Sequence, residues 1–109
     1  GNESVSVATS GAVLNNPFPF TSRPYLRITG SGEGTLTIQS AGSNRTWTFS
    51  DIDGYVEADS EQMNFYKDTL LKNDTVTGSG FPLLYPGDNT VSFSGGITAL
   101  AVTPRWCTL

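Results

Sequence analysis

The sequence predicts an all-β fold built as an antiparallel meander, the pattern of a β-sandwich or barrel, and three observations carry that prediction. Short apolar runs alternate with polar residues at period two, as half-buried strands require. Clusters of Gly, Pro and Asn interrupt these runs at short intervals, where turns reverse the chain. Ser, Thr, Gly and aromatic residues are abundant and charged residues make up only 15% of the chain, a balance that suits strands and turns more than helices.

The elements follow in order. Val5 and Val7 alternate with Ser4 and Ser6 in a first strand, and Thr9-Ser10-Gly11 breaks it before the apolar run Ala12-Val13-Leu14. Asn15 to Pro24 holds three prolines, which donate nothing to a ladder, so it reads as an irregular crossing. Tyr25-Leu26-Arg27-Ile28-Thr29 is a strand with Leu26 and Ile28 inward and Tyr25, Arg27 and Thr29 outward. Gly30-Ser31-Gly32-Glu33-Gly34 reads as a flexible hairpin loop leading to the alternating strand Thr35 to Gln39. From Asn44 to Ser50, Trp47 and Phe49 share an apolar face, and Asp53-Gly54 then reads as a turn into Tyr55-Val56-Glu57-Ala58-Asp59.

Ser60 to Leu71 is two-sided. Asp59 with Gln62 meets the pattern of a capping box, and Met63, Tyr66 and Leu70 approximate a helical stripe. Phe65-Tyr66 is strand-prone and its surroundings are wholly β, which favours a strand with an irregular lead-in. Phe81-Pro82-Leu83-Leu84 is a further apolar run, and Pro86-Gly87 turns the chain. Val91 and Phe93 alternate with Thr90, Ser92 and Ser94, Gly95-Gly96 reads as a two-residue hairpin turn, and a last strand begins at Ile97.

A length of 109 residues implies one domain, 1–109, able to bury a modest two-layer core without disulfides or metals. The chain opens on Gly and is read as a piece of a longer protein. A net charge of −4 with only six scattered Lys and Arg argues against nucleic-acid and anionic-membrane partners, which require basic clusters. The single cysteine, Cys107, permits no internal disulfide and reads as a strand-end residue rather than a reactive thiol. Histidine is absent, which removes the usual general base, the Ser-His pair and the commonest transition-metal ligand.

The acids cluster at Asp51, Asp53, Glu57, Asp59 and Glu61. Glu57 and Asp59 share one strand face about 7 Å apart, near glycosidase spacing, but such pairs come from different elements flanking a cleft. Asp51-x-Asp53-Gly54 resembles part of a calcium loop whose later ligands are out of register. A solvated strand face is the commoner use of such residues. Outward tyrosines offer a different chemistry, since a pyranose stacks on an exposed ring. Tyr25 beside Arg27, and Tyr55 beside Glu57 and Asp59, form the candidate saccharide or partner-contact face, while Trp47 is assigned to the core. No catalytic residue, cofactor or metal ligand is assigned.

Several of these pieces, in this order, resemble the C-terminal domain of the siphophage distal tail protein family. They are the N-terminal Val-x-Val strand, Tyr25 to Gly32, Thr35 to Ile38, Gly54-Tyr55-Val56 running into Asp59-Ser60-Glu61, Phe81-Pro82-Leu83, Pro86 to Gly96, and Pro104-Arg105-Trp106. The likeness spans nearly the whole chain, and its most specific unit is Phe-Pro followed by Pro-Gly-x-Asn. The resemblance implies an antiparallel two-sheet β-sandwich of galectin-like, jelly-roll type, hung outside a hexameric ring that a preceding N-terminal domain forms. It implies a non-enzymatic docking role for tail-tube, tail-tip or receptor-binding components, at the distal end of a virion tail, or in the bacterial cytoplasm during assembly of a prophage-encoded particle. Asn44-Arg45-Thr46-Trp47 only loosely echoes a galectin sugar motif, whose histidine is missing. The alternative is a carbohydrate-binding module for a bacterial surface saccharide, using Tyr25, Arg27, Tyr55, Glu57 and Asp59.

Overall fold

Nine elements follow from the alternating pattern in the computed structural model, which describes residues 4–78 and 80–106. Cys107 lies outside the described residues. The strands are β1 (Val5–Val7), β2 (Ala12–Asn16), β3 (Tyr25–Ser40), β4 (Ser43–Asp59), β5 (Asn64–Lys67), β6 (Leu70–Leu71), β7 (Val76–Gly78) and β8 (Gly87–Thr103), with one 3-10 turn at Asn73–Thr75. All pairings are antiparallel, and the eight strands form one sheet of order β1-β8-β3-β4-β5-β6, with β2 also on β8 and β7 also on β4. No α-helix occurs among the described residues, so none is long and apolar enough to cross a membrane.

Three predicted turns are not turns. Gly30 to Gly34 lies inside β3, Asp53-Gly54 inside β4 and Gly95-Gly96 inside β8. Each long strand therefore joins two runs that the periodicity separates. A straight 17-residue strand would span more than about 50 Å. The longest dimension of the molecule is 37 Å, so the long strands bend. They bend where the glycines sit. A Cβ on Gly30 would lie 2.2 Å from the Gly96 carbonyl oxygen, and one on Gly96 only 1.8 Å from that of Ser31. Backbone meets backbone there, and only glycine fits.

Bulges accompany the bend and keep one face apolar throughout. Between Gly32↔Ile52 and Gly34↔Phe49, β4 spends three steps against two on β3. The buried positions on β4 accordingly switch from Arg45, Trp47 and Phe49 to Ile52, Val56 and Ala58. Between Thr29↔Ala99 and Gly30↔Ile97, β8 carries Thr98 as its extra residue, and burial passes from Val91 and Ile97 to Leu100 and Val102. An extra residue flips the facing of everything beyond it, so each bulge restores the core side after the bend. Both arms of the bent strands feed a single apolar cluster that includes Leu26, Ile28, Leu36, Ile38, Trp47, Phe49 and Val102.

The Asn15–Pro24 crossing begins later than expected, because β2 extends to Asn16, which pairs with Gly87. It ends on an isolated bridge between Ser22 and Leu84. In the ambiguous Ser60–Leu71 segment the strand wins: Asn64–Lys67 pairs with β4, and Phe65 is buried edge-on to Phe49 and stacked on Phe81. The capping contact exists, but it closes a turn rather than opening a helix. Asp59 Oδ1 accepts the Glu61 and Gln62 amides at 3.1 and 3.3 Å, and Met63 follows at φ 60°.

Candidate functional site

Cross-strand register assembles the predicted face. Tyr25 lies opposite Asp59, Arg27 opposite Glu57 and Thr29 opposite Tyr55 on β3 and β4, while Tyr66 of β5 lies opposite Glu57. The five residues of the candidate face do come together on the outward side of one arm of the sheet. What they do there is bind one another. The Tyr25 hydroxyl donates to Glu57 Oε1, and the Tyr55 hydroxyl donates to Asp68 Oδ1. The Asp68 amide donates to Glu57 Oε2 at 3.0 Å, tying the β5–β6 turn to β4. The Arg27 guanidinium stacks 3.9 Å from the Tyr55 ring centre, and Lys67 Nζ stands 5.0 Å from the same ring.

These contacts shift the phenols. Burial, then the Glu57 hydrogen bond, holds the Tyr25 pKa well above the ordinary phenol range. Its hydrogen bond to Asp68 is the main cause that raises Tyr55, and burial is the main cause for Tyr66. A ring serves a sugar only through an open face. Tyr55 has a cation across its ring, so it is a poorer platform than its sequence neighbourhood suggests.

Asp59 departs from the expected accessible face. It is only 5% exposed, because Arg105 folds over it with Nη1–Oδ1 at 2.7 Å and Nη2–Oδ2 at 3.3 Å. Glu61 approaches the same guanidinium at 3.7 Å. The Arg105 hydrogen bond is the main cause that lowers the Asp59 pKa below its ordinary 3.8. A carboxyl with a folded pKa below its unfolded one contributes stability that is present above the unfolded value and lost as pH falls through the folded one. Stability is thus expected to decline as pH drops below about 4. Asp59→Asn is expected to flatten that acid limb, and Arg105→Ala to cost about 2 kcal/mol by stranding a charge-assisted acceptor. Denaturant melts across the acid range check both.

The loop of Asp51 and Asp53 is β4 itself, and its cation is internal. Lys67 Nζ donates to the Asp53 carbonyl at 2.6 Å and stands 3.8 Å from its carboxylate. Among the described residues, no three His, Cys, Asp or Glu side chains are grouped to hold a metal ion.

In the Asn44–Trp47 stretch, Arg45 and Trp47 face inward while Asn44 and Thr46 are exposed. Trp47 is fully buried, its Nε1 donating to the Gly80 carbonyl at 2.8 Å. Arg45 is 7% exposed, gives Nη1 to the Leu83 carbonyl at 2.7 Å and Nη2 to Ser40 Oγ at 2.9 Å, and lies 4.1 Å over the Tyr85 ring. Burial lowers its pKa, with Tyr85 opposing.

The centre of this inner network is Asn89, the last residue of the Pro-Gly-x-Asn unit. It is fully buried and makes five hydrogen bonds: Oδ1 accepts from Ser40 Oγ (2.6 Å) and the Tyr85 amide (2.9 Å), while Nδ2 donates to the carbonyls of Leu14 (3.2 Å), Tyr85 (2.9 Å) and Gly87 (3.1 Å). A buried polar group is tolerable only when so satisfied. One side chain thereby fixes the Pro86-Gly87 turn, the end of β3 and the edge strand β2. The signal for it in the sequence is the Pro-Gly-x-Asn spacing, which places an amide two residues past a turn.

No family model, curated protein or solved structure matches this chain.

Proposed function

We propose that this chain is a non-enzymatic docking domain of a phage or prophage distal tail protein, with the galectin-like two-sheet β-sandwich that the family resemblance implies. The bent long strands favour that finer architecture, since the two halves of β4 carry separate edge strands, β7 and β5, and those of β8 carry β2 and β1, around a shared core. The observation that carries the functional reading is that the most specific part of the resemblance coincides with the organising residues of the fold. Asn89 of Pro-Gly-x-Asn holds three segments together, and Phe81 of Phe-Pro backs Phe65 at 5.0 Å. The mechanism is passive. A rigid β domain presents faces to neighbouring subunits, and ring symmetry multiplies each contact.

The saccharide-binding alternative draws on the outward tyrosines, and it loses ground because Tyr55 is capped by Arg27 and the Tyr25 hydroxyl is committed to Glu57. Native mass spectrometry of the complete gene product tests the leading reading. A hexamer is expected, and a monomer across the accessible concentration range contradicts it.

A further inference from the structure

Three segments meet beside the turn between β4 and β5 and leave a cleft of about 290 Å³, lined by Arg23, Ser60, Met63, Gly80, Phe81 and Leu83. Residues 22–24 are held on one side by the paired Ser22 and Leu84 backbones, at 2.9 and 3.1 Å, and on the other by the Ser60 amide on the Pro24 carbonyl at 3.1 Å. Ser22, Pro24, Pro82 and Leu84 are buried, so Arg23 and Leu83 turn outward between them. Phe81 is backed by the stacked Phe65 ring, which makes the apolar floor rigid.

Two side chains of this cleft stand exposed at its rim. Met63 leaves 59% of its surface exposed, at the φ 60° position where its amide closes the turn on the Asp59 carbonyl at 2.8 Å. Arg23 is exposed, and among the described residues it has no carboxylate within ion-pair distance and no ring beneath it. Ser60 already spends its hydroxyl on the Pro82 carbonyl at 2.5 Å, which leaves Arg23 as the polar handle of an apolar site.

We propose that this cleft is the docking surface of the domain, and that its occupant is an extended segment of a partner protein carrying an apolar side chain next to a carboxylate. The inference rests on the docking reading above and names its site and partner chemistry. The volume lies at the low end for small-molecule pockets and suits peptide side chains better than a cofactor. Met63, Phe81 and Leu83 take the apolar anchor, and a preformed floor spares part of the ordering cost. Arg23 pairs with the neighbouring acid through its planar fork. On a chain of net charge −4 this rim cation supplies the local complementarity that an acidic partner needs.

The test is an amide chemical-shift titration of the isotope-labelled chain with the end-blocked peptide Gly-Ser-Leu-Phe-Asp-Glu-Gly. Saturable shifts centred on Arg23, Met63, Phe81 and Leu83 are expected, with a Kd of about 1 mM or tighter. A peptide with Asn and Gln in place of the acids is expected to bind about fivefold more weakly. Arg23→Glu removes that discrimination, and Met63→Lys weakens both peptides; each alters an exposed side chain, and the amide spectrum verifies the fold. Absence of saturable shifts, shifts centred elsewhere, or equal affinity for the two peptides overturns the proposal. The resemblance assigns the hexameric ring to the preceding domain, so a hexamer without peptide shifts removes this cleft and leaves the docking reading in place.

Discussion

Replacing Asn89 by Ala is expected to destabilise the fold by about 3 kcal/mol or more, read as a fall in the denaturant midpoint at unchanged slope. The side chain lost is small, so the cost is not one of packing. It comes from what is left behind: the Ser40 hydroxyl, the Tyr85 amide and the carbonyls of Leu14, Tyr85 and Gly87 all lose the same partner. Arg45 feels the change as well, because its Nη2 rests on the Ser40 hydroxyl, and its Nε already lacks a hydrogen-bond partner among the described residues. Asn15→Ala is the matched control, since its bond to Asp88 at 2.9 Å is exposed. It should change stability by no more than about 0.5 kcal/mol. Equal effects from the two substitutions would deny Asn89 its central place.

The second large effect is expected at the bend. Gly96→Ala pushes a methyl group to 1.8 Å from the Ser31 carbonyl oxygen, where the obstacle is backbone in the paired strand rather than a side chain able to turn aside. Relief requires β3 and β8 to part where their register already shifts. The cost is expected to reach about 3 kcal/mol, at the upper end for overpacking, and for a domain of this size that is a large share of total stability. Ser94→Ala, two residues away on an exposed position, should be near neutral. Thermal melts compare the pair. A neutral Gly96→Ala would show that the close approach of the two strands is not a feature of the folded protein.

The bend also explains which parts of the fold the sequence disclosed. Alternation gave the inward side of Leu26, Ile28, Trp47 and Phe49 directly, because each lies within a run of constant parity. It divided β3, β4 and β8 in two because glycine at a bend and glycine in a hairpin look alike over a short window. On β4 and β8 a bulge adds a parity change to that ambiguity. Long-range pairing separates the cases, and a single sequence does not contain it. The outward face was legible for the same reason as the core, with Tyr25, Arg27, Tyr55 and Glu57 all outward. Asp59 was not, because its burial depends on Arg105, which arrives from 46 positions away. Asn89 and the Arg23 cleft escaped similarly: the partners that give each its meaning are brought in by segments distant in sequence.

The proposed docking role places this chain at the distal end of a phage tail, a position that intact particles test. Antibody raised against this chain, applied to phage particles from the source strain and imaged with gold label, should decorate the distal end of the tail. Label at the capsid or along the whole tail, or particles consistently unlabelled beside a control antibody that binds the tail, would contradict the account.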